Sequence, residues 1–185
     1  MSDTDHAGKT LTHVWIGSLD DNGESEGGSS VKAQYNPGTL EISQNVPWKK
    51  PEAASKGGGQ QKGPPKDENF NALEFTGAEG RSVSLELLFD AFEGGGVDVQ
   101  ASVQKLEKLA AVRGDPTATD ESQRRPHHCV VVWGTALHNY RGDNFKCVIE
   151  NLTTKYTMFS PEGKPLRATC TVKLKEAARV DRKKK

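Results

Sequence analysis

Between residues 82 and 90 apolar and polar positions alternate, with Leu88 the one exception. Val83, Leu85, Leu87 and Phe89 fall on one side of an extended strand, Ser84, Glu86 and Asp90 on the other. Period-two alternation marks a strand with one face buried and one in water, and the surrounding stretch 73–92 is read as one strand. The pattern returns in "LRATCTVKLK" (166–175). There Leu166, Ala168, Cys170, Val172 and Leu174 alternate with Arg167, Thr169, Thr171, Lys173 and Lys175, which predicts a second half-buried strand. "CVVVWG" (129–134) is a continuous apolar run of strand length, rich in β-branched residues. "LTHVWIG" (11–17) predicts a short strand. "FKCVIENLTTKYTMF" (145–159) predicts a strand with an irregularity near Asn151-Leu152, followed by another short strand and a turn at Pro161–Lys164. In "VKAQYNPGTLEIS" (31–43), Pro37 presets φ and Gly38 supplies the positive φ of a type II turn, so two short strands are expected to pair as a hairpin.

One helix is expected. Val99, Val103, Leu106 and Ala110 recur at helical spacing, Asp98 is placed to cap the start and Gly114 to end it. The rest reads as loop. "DDNGESEGGSS" (20–30) and "DPTATDESQRRP" (115–126) are polar. Residues 49–69 hold three Pro, four Gly and five Lys with hardly an apolar side chain, too little burial to offset the entropy of ordering. This stretch is expected to be a long flexible insertion that reaches a neighbouring subunit.

The chain has 185 residues, 34% of them hydrophobic, and a mean hydropathy of −0.70, which suits one β-rich domain diluted by polar connections. Its 25 basic and 25 acidic residues balance, so global charge points to neither nucleic acid nor a membrane surface. Charge is uneven locally: residues 1–30 carry six acids and one Lys, residues 175–185 six bases and two acids. An acidic N-terminal arm (1–30) with one short strand, a β-rich domain (31–176) and a basic C-terminal tail (177–185) are therefore expected. No apolar run reaches membrane-spanning length and no signal-like segment follows Met1. Three cysteines without CxxC spacing favour reduced thiols in a cytoplasm.

Candidate chemistry is sparse. His127, His128 and Cys129 are the one metal-like constellation, but adjacent strand residues point to opposite faces and no fourth ligand sits at zinc-type spacing. Cys129, Cys147 and Cys170 fall on inward positions and read as small core hydrophobes. Gly94-Gly95-Gly96 lacks the pattern of a phosphate loop. No catalytic, metal or cofactor site is expected. Trp15 and Trp133 read as core; Trp48, between Pro47 and the insertion, is the candidate anchor for a partner's pocket. Lys49, Lys50, Lys56, Lys62, Lys66, Arg124 and Arg125, in or beside the two polar loops, join it as candidate interface residues.

"YNPGTLEIS", Trp48, "LEFTGAEGRSVSLELLFDAFE", "VQKLEKL", "VVVWG" and "FKCVIENLTTKYTMFSPEGKPLRATCTVKLKE" resemble, in order, the tube-adaptor proteins of contractile injection systems. These are phage-tail-like particles of the antifeeding-prophage and Photorhabdus virulence-cassette type. The resemblance spans residues 31–176. It implies a mainly β barrel or sandwich related to tail-tube folds, and a non-enzymatic subunit at the junction of inner tube, central spike and baseplate. The implied partners are tube or tube-initiator proteins, the spike, baseplate wedge proteins and further copies in a ring, with assembly in the cytoplasm. Many members continue into a LysM module; this sequence runs to "EAARVDRKKK", and the adaptor domain alone is expected. Three other readings stay open: a subunit of the tube itself, a metal- or thiol-dependent hydrolase around His127, His128 and Cys129, and a stand-alone carbohydrate- or peptidoglycan-binding module.

Overall fold

A computed structural model of the chain describes residues 12–20, 25–50, 73–92, 96–113 and 125–177. Two compact units emerge, one of Met1–Ser43 with Arg81–Lys185 and one of Gln44–Gly80. In chain order the elements are β1 (Trp15–Leu19), β2 (Ser25–Lys32), β3 (Leu40–Ser43), β4 (Trp48–Lys49), β5 (Glu74–Phe75), β6 (Ser82–Asp90), α1 (Val99–Ala110), β7 (His128–Val132), β8 (Phe145–Phe159) and β9 (Pro165–Glu176). The first unit is an antiparallel seven-stranded sheet in the order β2-β1-β7-β8-β9-β6-β3, and β4 and β5 form the ribbon of the second. The fold is mainly β with one packed helix, as the alternation predicts. Its sheet is open at β2 and β3 and does not close into a barrel.

The alternating residues do what their spacing requires. Val83, Leu85, Leu87 and Phe89 of β6 and Ala168, Cys170, Val172 and Leu174 of β9 are buried on the same face, each pair of strands in register. Helix α1 lays Val99, Val103, Leu106 and Leu109 on that face and packs against β2, β6, β8 and β9. Each large apolar side chain so buried contributes about 1.5–3 kcal/mol. Asp98 caps the helix, its Oδ1 accepting from Ala101 N at 3.0 Å; the chain turns extended at Ala111, ahead of the Gly114 expected as the stop.

β8 carries the predicted irregularity. Ile149 faces Leu174 and Asn151 faces Lys173, so Glu150 is an extra residue, a bulge. The bulge moves the inward set from Phe145, Cys147 and Ile149 to Leu152 and Thr154, and the strand continues to Phe159 as one element instead of two.

Three expectations need correction. Residues 25–30, read as loop for their Gly and Ser, belong to β2, an edge strand whose pairing with β1 supplies the order its composition does not. Asn36-Pro37-Gly38 does not close a hairpin: β2 pairs with β1 and β3 with β6. Asn36 instead acts as a surrogate strand partner, its Oδ1 accepting from Val14 N at 3.0 Å and its Nδ2 donating to Thr12 O at 3.1 Å. The stretch 73–92 is two elements, β5 and β6, separated at Gly77, whose φ of +126° a side chain would resist.

Gly17 on β1 is required for a different reason. A Cβ there would meet the Trp15 ring at 2.1 Å, because the indole lies over the bare backbone. Gly17→Ala is expected to displace Trp15 and destabilise the protein by about 1–3 kcal/mol. Thermal melting followed by tryptophan fluorescence checks this; an unchanged midpoint would show that the ring is not packed there.

Side chains also tie distant parts of this unit together. Gln34, just past β2, accepts from Asp90 N at 2.7 Å and donates to Asp90 O at 2.8 Å. The Asp90 carboxylate accepts from Phe92 N and from Arg167, while Arg81 makes a forked pair with Glu176. The Phe92 amide, then Arg167, holds the Asp90 carboxyl below its ordinary value. Burial works against the charge on Glu176, but the Arg81 bonds outweigh it and its pKa is also lowered. His128 is buried with Nε2 against Ala177 O at 2.7 Å, and burial lowers its pKa.

All three shifts have one sign. A depressed folded-state value means stability that is present above the unfolded value and lost as pH falls. The melting temperature is therefore expected to be level near neutrality, to decline below about 6.5 as His128 titrates, and to fall further below about 4 as Asp90 and Glu176 take protons. His128→Gln should remove the first decline and leave the second. A variant whose profile still declines from 6.5 would assign that step elsewhere.

Candidate assembly surface

The second unit is built from two short runs, 44–50 and 73–80. Trp48 pairs with Phe75 and Lys49 with Glu74. Thr76 fastens the ribbon by donating twice to Pro47 O, from N at 3.2 Å and from Oγ1 at 2.9 Å. Further along, Glu79 N donates to Asn45 O at 3.0 Å and Gln44 Nε2 to Glu79 O at 3.1 Å. Directly opposed side chains on an antiparallel pair touch, and the rings of Trp48 and Phe75 stand 5.4 Å apart, tilted by 56°. Yet Trp48 is 56% exposed and Phe75 51%, with Leu73 and Val46 also exposed beside them. An aromatic pair ordered by its own backbone and left in water is a ready contact for another protein.

The structure places the remaining candidates unevenly. Lys49 and Lys50 are exposed next to Trp48. Arg125 is half-buried, its guanidinium donating to Pro126 O at 3.3 Å, and its carbonyl accepts from Arg113 N. Lys56, Lys62, Lys66 and Arg124 lie outside the described residues, as do the acidic segment 1–11, most of both polar loops and the basic tail from 178. Phe75 and Leu73 were missed because "LEF" runs on into the alternating strand. The signal that separates them is "GAEG", two glycines within four residues. A second exposed aromatic group lies at one end of the large sheet. There Phe92 follows β6, and Tyr156 and Phe159 of β8 stand 6.4 Å apart.

The tempting chemistry does not assemble. His128 and Cys129 are buried neighbours on β7, His127 is half-buried before the strand, and the Cys129 Sγ is directed to His127 O. Burial pushes the Cys129 thiol up to about 12, which leaves almost no thiolate for attack at neutral pH. Among the described residues no three His, Cys, Asp or Glu side chains gather to hold a metal ion. Trp15 and Trp133 are half-buried, Trp133 against the core. No helix among the described residues is long and apolar enough to cross a membrane.

The described residues thus comprise an antiparallel seven-stranded sheet and, as a separate unit, a two-stranded ribbon that carries an exposed aromatic pair. Residues 10–185 match the family model described as contractile injection system tube protein, and the chain belongs to that family. Comparison with curated proteins gives no match.

Proposed function

We propose that this chain is a non-enzymatic structural adaptor joining the inner tube of a contractile injection particle to its spike and baseplate. The observation that carries the reading is the exposed Trp48–Phe75 pair on its own ribbon. Buried in a partner's pocket, two such rings supply the kind of anchor on which docking energy concentrates. Lys49 and Lys50, exposed next to Trp48, add positive charge that suits an acidic partner surface, and Lys56, Lys62, Lys66, Arg124 and Arg125 remain candidate contacts by sequence alone. The partners are tube or tube-initiator proteins, the spike, baseplate wedge proteins and further copies in a ring of about six. No nucleic acid, membrane or cofactor takes part, and assembly takes place in the cytoplasm.

The family's own description favours a second reading, that the chain builds the tube shaft. Quantitative mass spectrometry of purified particles separates the two. An adaptor is present in a fixed, ring-sized number whatever the tube length. A shaft subunit is present in a number that scales with length, and that result would overturn the adaptor role.

A further inference from the structure

Cys129 on β7 and Cys147 on β8 are register partners across an antiparallel pair, both with no exposed surface. Ala177 N donates to Lys146 O at 2.9 Å, so Lys146 turns its backbone groups toward β9 and Cys147 turns its own toward β7. Opposed residues that exchange backbone hydrogen bonds have Cα atoms about 5.5 Å apart, within the range that a disulfide spans. Their Cβ atoms lie at the wide end of about 4.5–5.5 Å, so closing the bond draws the two strands together locally. Both side chains lie on the core face, among the same cluster. Cys170 has no thiol opposite it: its partners are Leu87 on β6 and Thr154 on β8. All three cysteines are free thiols in this structure.

The position in the sheet gives the pair its meaning. β7 meets β8 only through Cys129–Val131 and Phe145–Cys147, while β9 follows β8 from Cys147 to Phe159 and β6 from Ser82 to Asp90. That short seam is the sheet's one link, among the described residues, between β2-β1-β7 and β8-β9-β6-β3. We infer that Cys129 and Cys147 form a latent cross-strand disulfide site, which locks the seam when the protein meets a low-molecular-weight disulfide oxidant.

The reaction balances in two exchanges. One cysteine thiolate attacks the oxidant's disulfide, giving a mixed disulfide and releasing one thiol. The second cysteine attacks the protein sulfur of that mixed disulfide, forming the Cys129–Cys147 bond and releasing the second thiol. The cysteines lose two electrons and two protons; the oxidant gains them. Burial raises the Cys129 thiol to about 12. Burial, then the neighbouring Cys129 and Glu176, raises Cys147 well above its ordinary value. The closed seam is therefore slow to react, and the bond forms on transient opening or during folding.

The test uses the reduced full-length chain, incubated or refolded with oxidised glutathione, then alkylated with N-ethylmaleimide and analysed by intact mass and peptide mapping. One alkylated thiol, at Cys170, and a reducible link between the Cys129 and Cys147 peptides are expected. Closing a loop of about 18 residues should raise the melting temperature by roughly 5–10 °C. Cys170→Ala, which leaves the pair intact, should crosslink as before; Cys129→Ala and Cys147→Ala should not. Three alkylated thiols after refolding with oxidant, a link through Cys170, glutathione adducts without a crosslink, or a crosslinked protein that melts no higher would each overturn the inference.

Discussion

Cells that make every other component of the particle but not this chain are expected to yield no normal sheathed particles. In the proposed adaptor role the chain forms a junction ring that acts as a template, one face seated on spike and baseplate and the other presenting the geometry on which the first tube ring assembles. Heterologous contacts between copies close into a ring only at one subunit angle, so the template's symmetry has to be supplied before stacking begins. Without it, stray tube or baseplate should accumulate unjoined in electron micrographs, and expression of the chain from a plasmid should restore the particles. Baseplates complete with spike but lacking any tube would favour the shaft role instead. Normal particles, with tube, spike and baseplate intact, would sink both readings.

How far the sequence foretold this molecule depends on what each element asks of its side chains. β6, β9 and α1 bury a continuous apolar face, so their period is written in Val83–Phe89, Ala168–Leu174 and Val99–Leu106. β2 is different. It is an edge strand of Ser, Gly and Glu that is ordered by backbone pairing with β1, and backbone pairing leaves no trace in hydropathy. The failed hairpin at Asn36-Pro37-Gly38 has the same root. Turn chemistry is local, but whether two flanking strands pair is decided by which distant edges are free, here β1 for one and β6 for the other. The exposure of Trp48 was legible because Pro47 and the polar insertion sequence flank it with no apolar pattern to bury it. Its partner Phe75 was not, because contiguity with an amphipathic strand hid it.

Trp48→Ala should separate folding from assembly. Trp48 is 56% exposed on a ribbon whose backbone is held by Thr76 and Pro47, so removing the indole takes little from the core. The isolated variant is expected to melt within a degree or two of the parent, since exposed substitutions cost within about 0.5 kcal/mol. Docking is where the loss should fall. A central aromatic anchor is worth about 2 kcal/mol or more, which weakens each contact by about 30-fold. A ring repeats that loss at every copy, so particle yield should drop further than one contact suggests. Phe75→Ala should act in the same direction. The double variant should cost less than the sum of the two, because the rings touch at 5.4 Å and each loses part of its purchase when the other is gone. Phe159→Ser, at one end of the large sheet, serves as the comparison that shows whether any exposed aromatic has this effect. Two results would refute the anchor. One is a melting temperature for Trp48→Ala lowered by several degrees, which would make Trp48 a core residue; the other is a variant that melts and assembles like the parent.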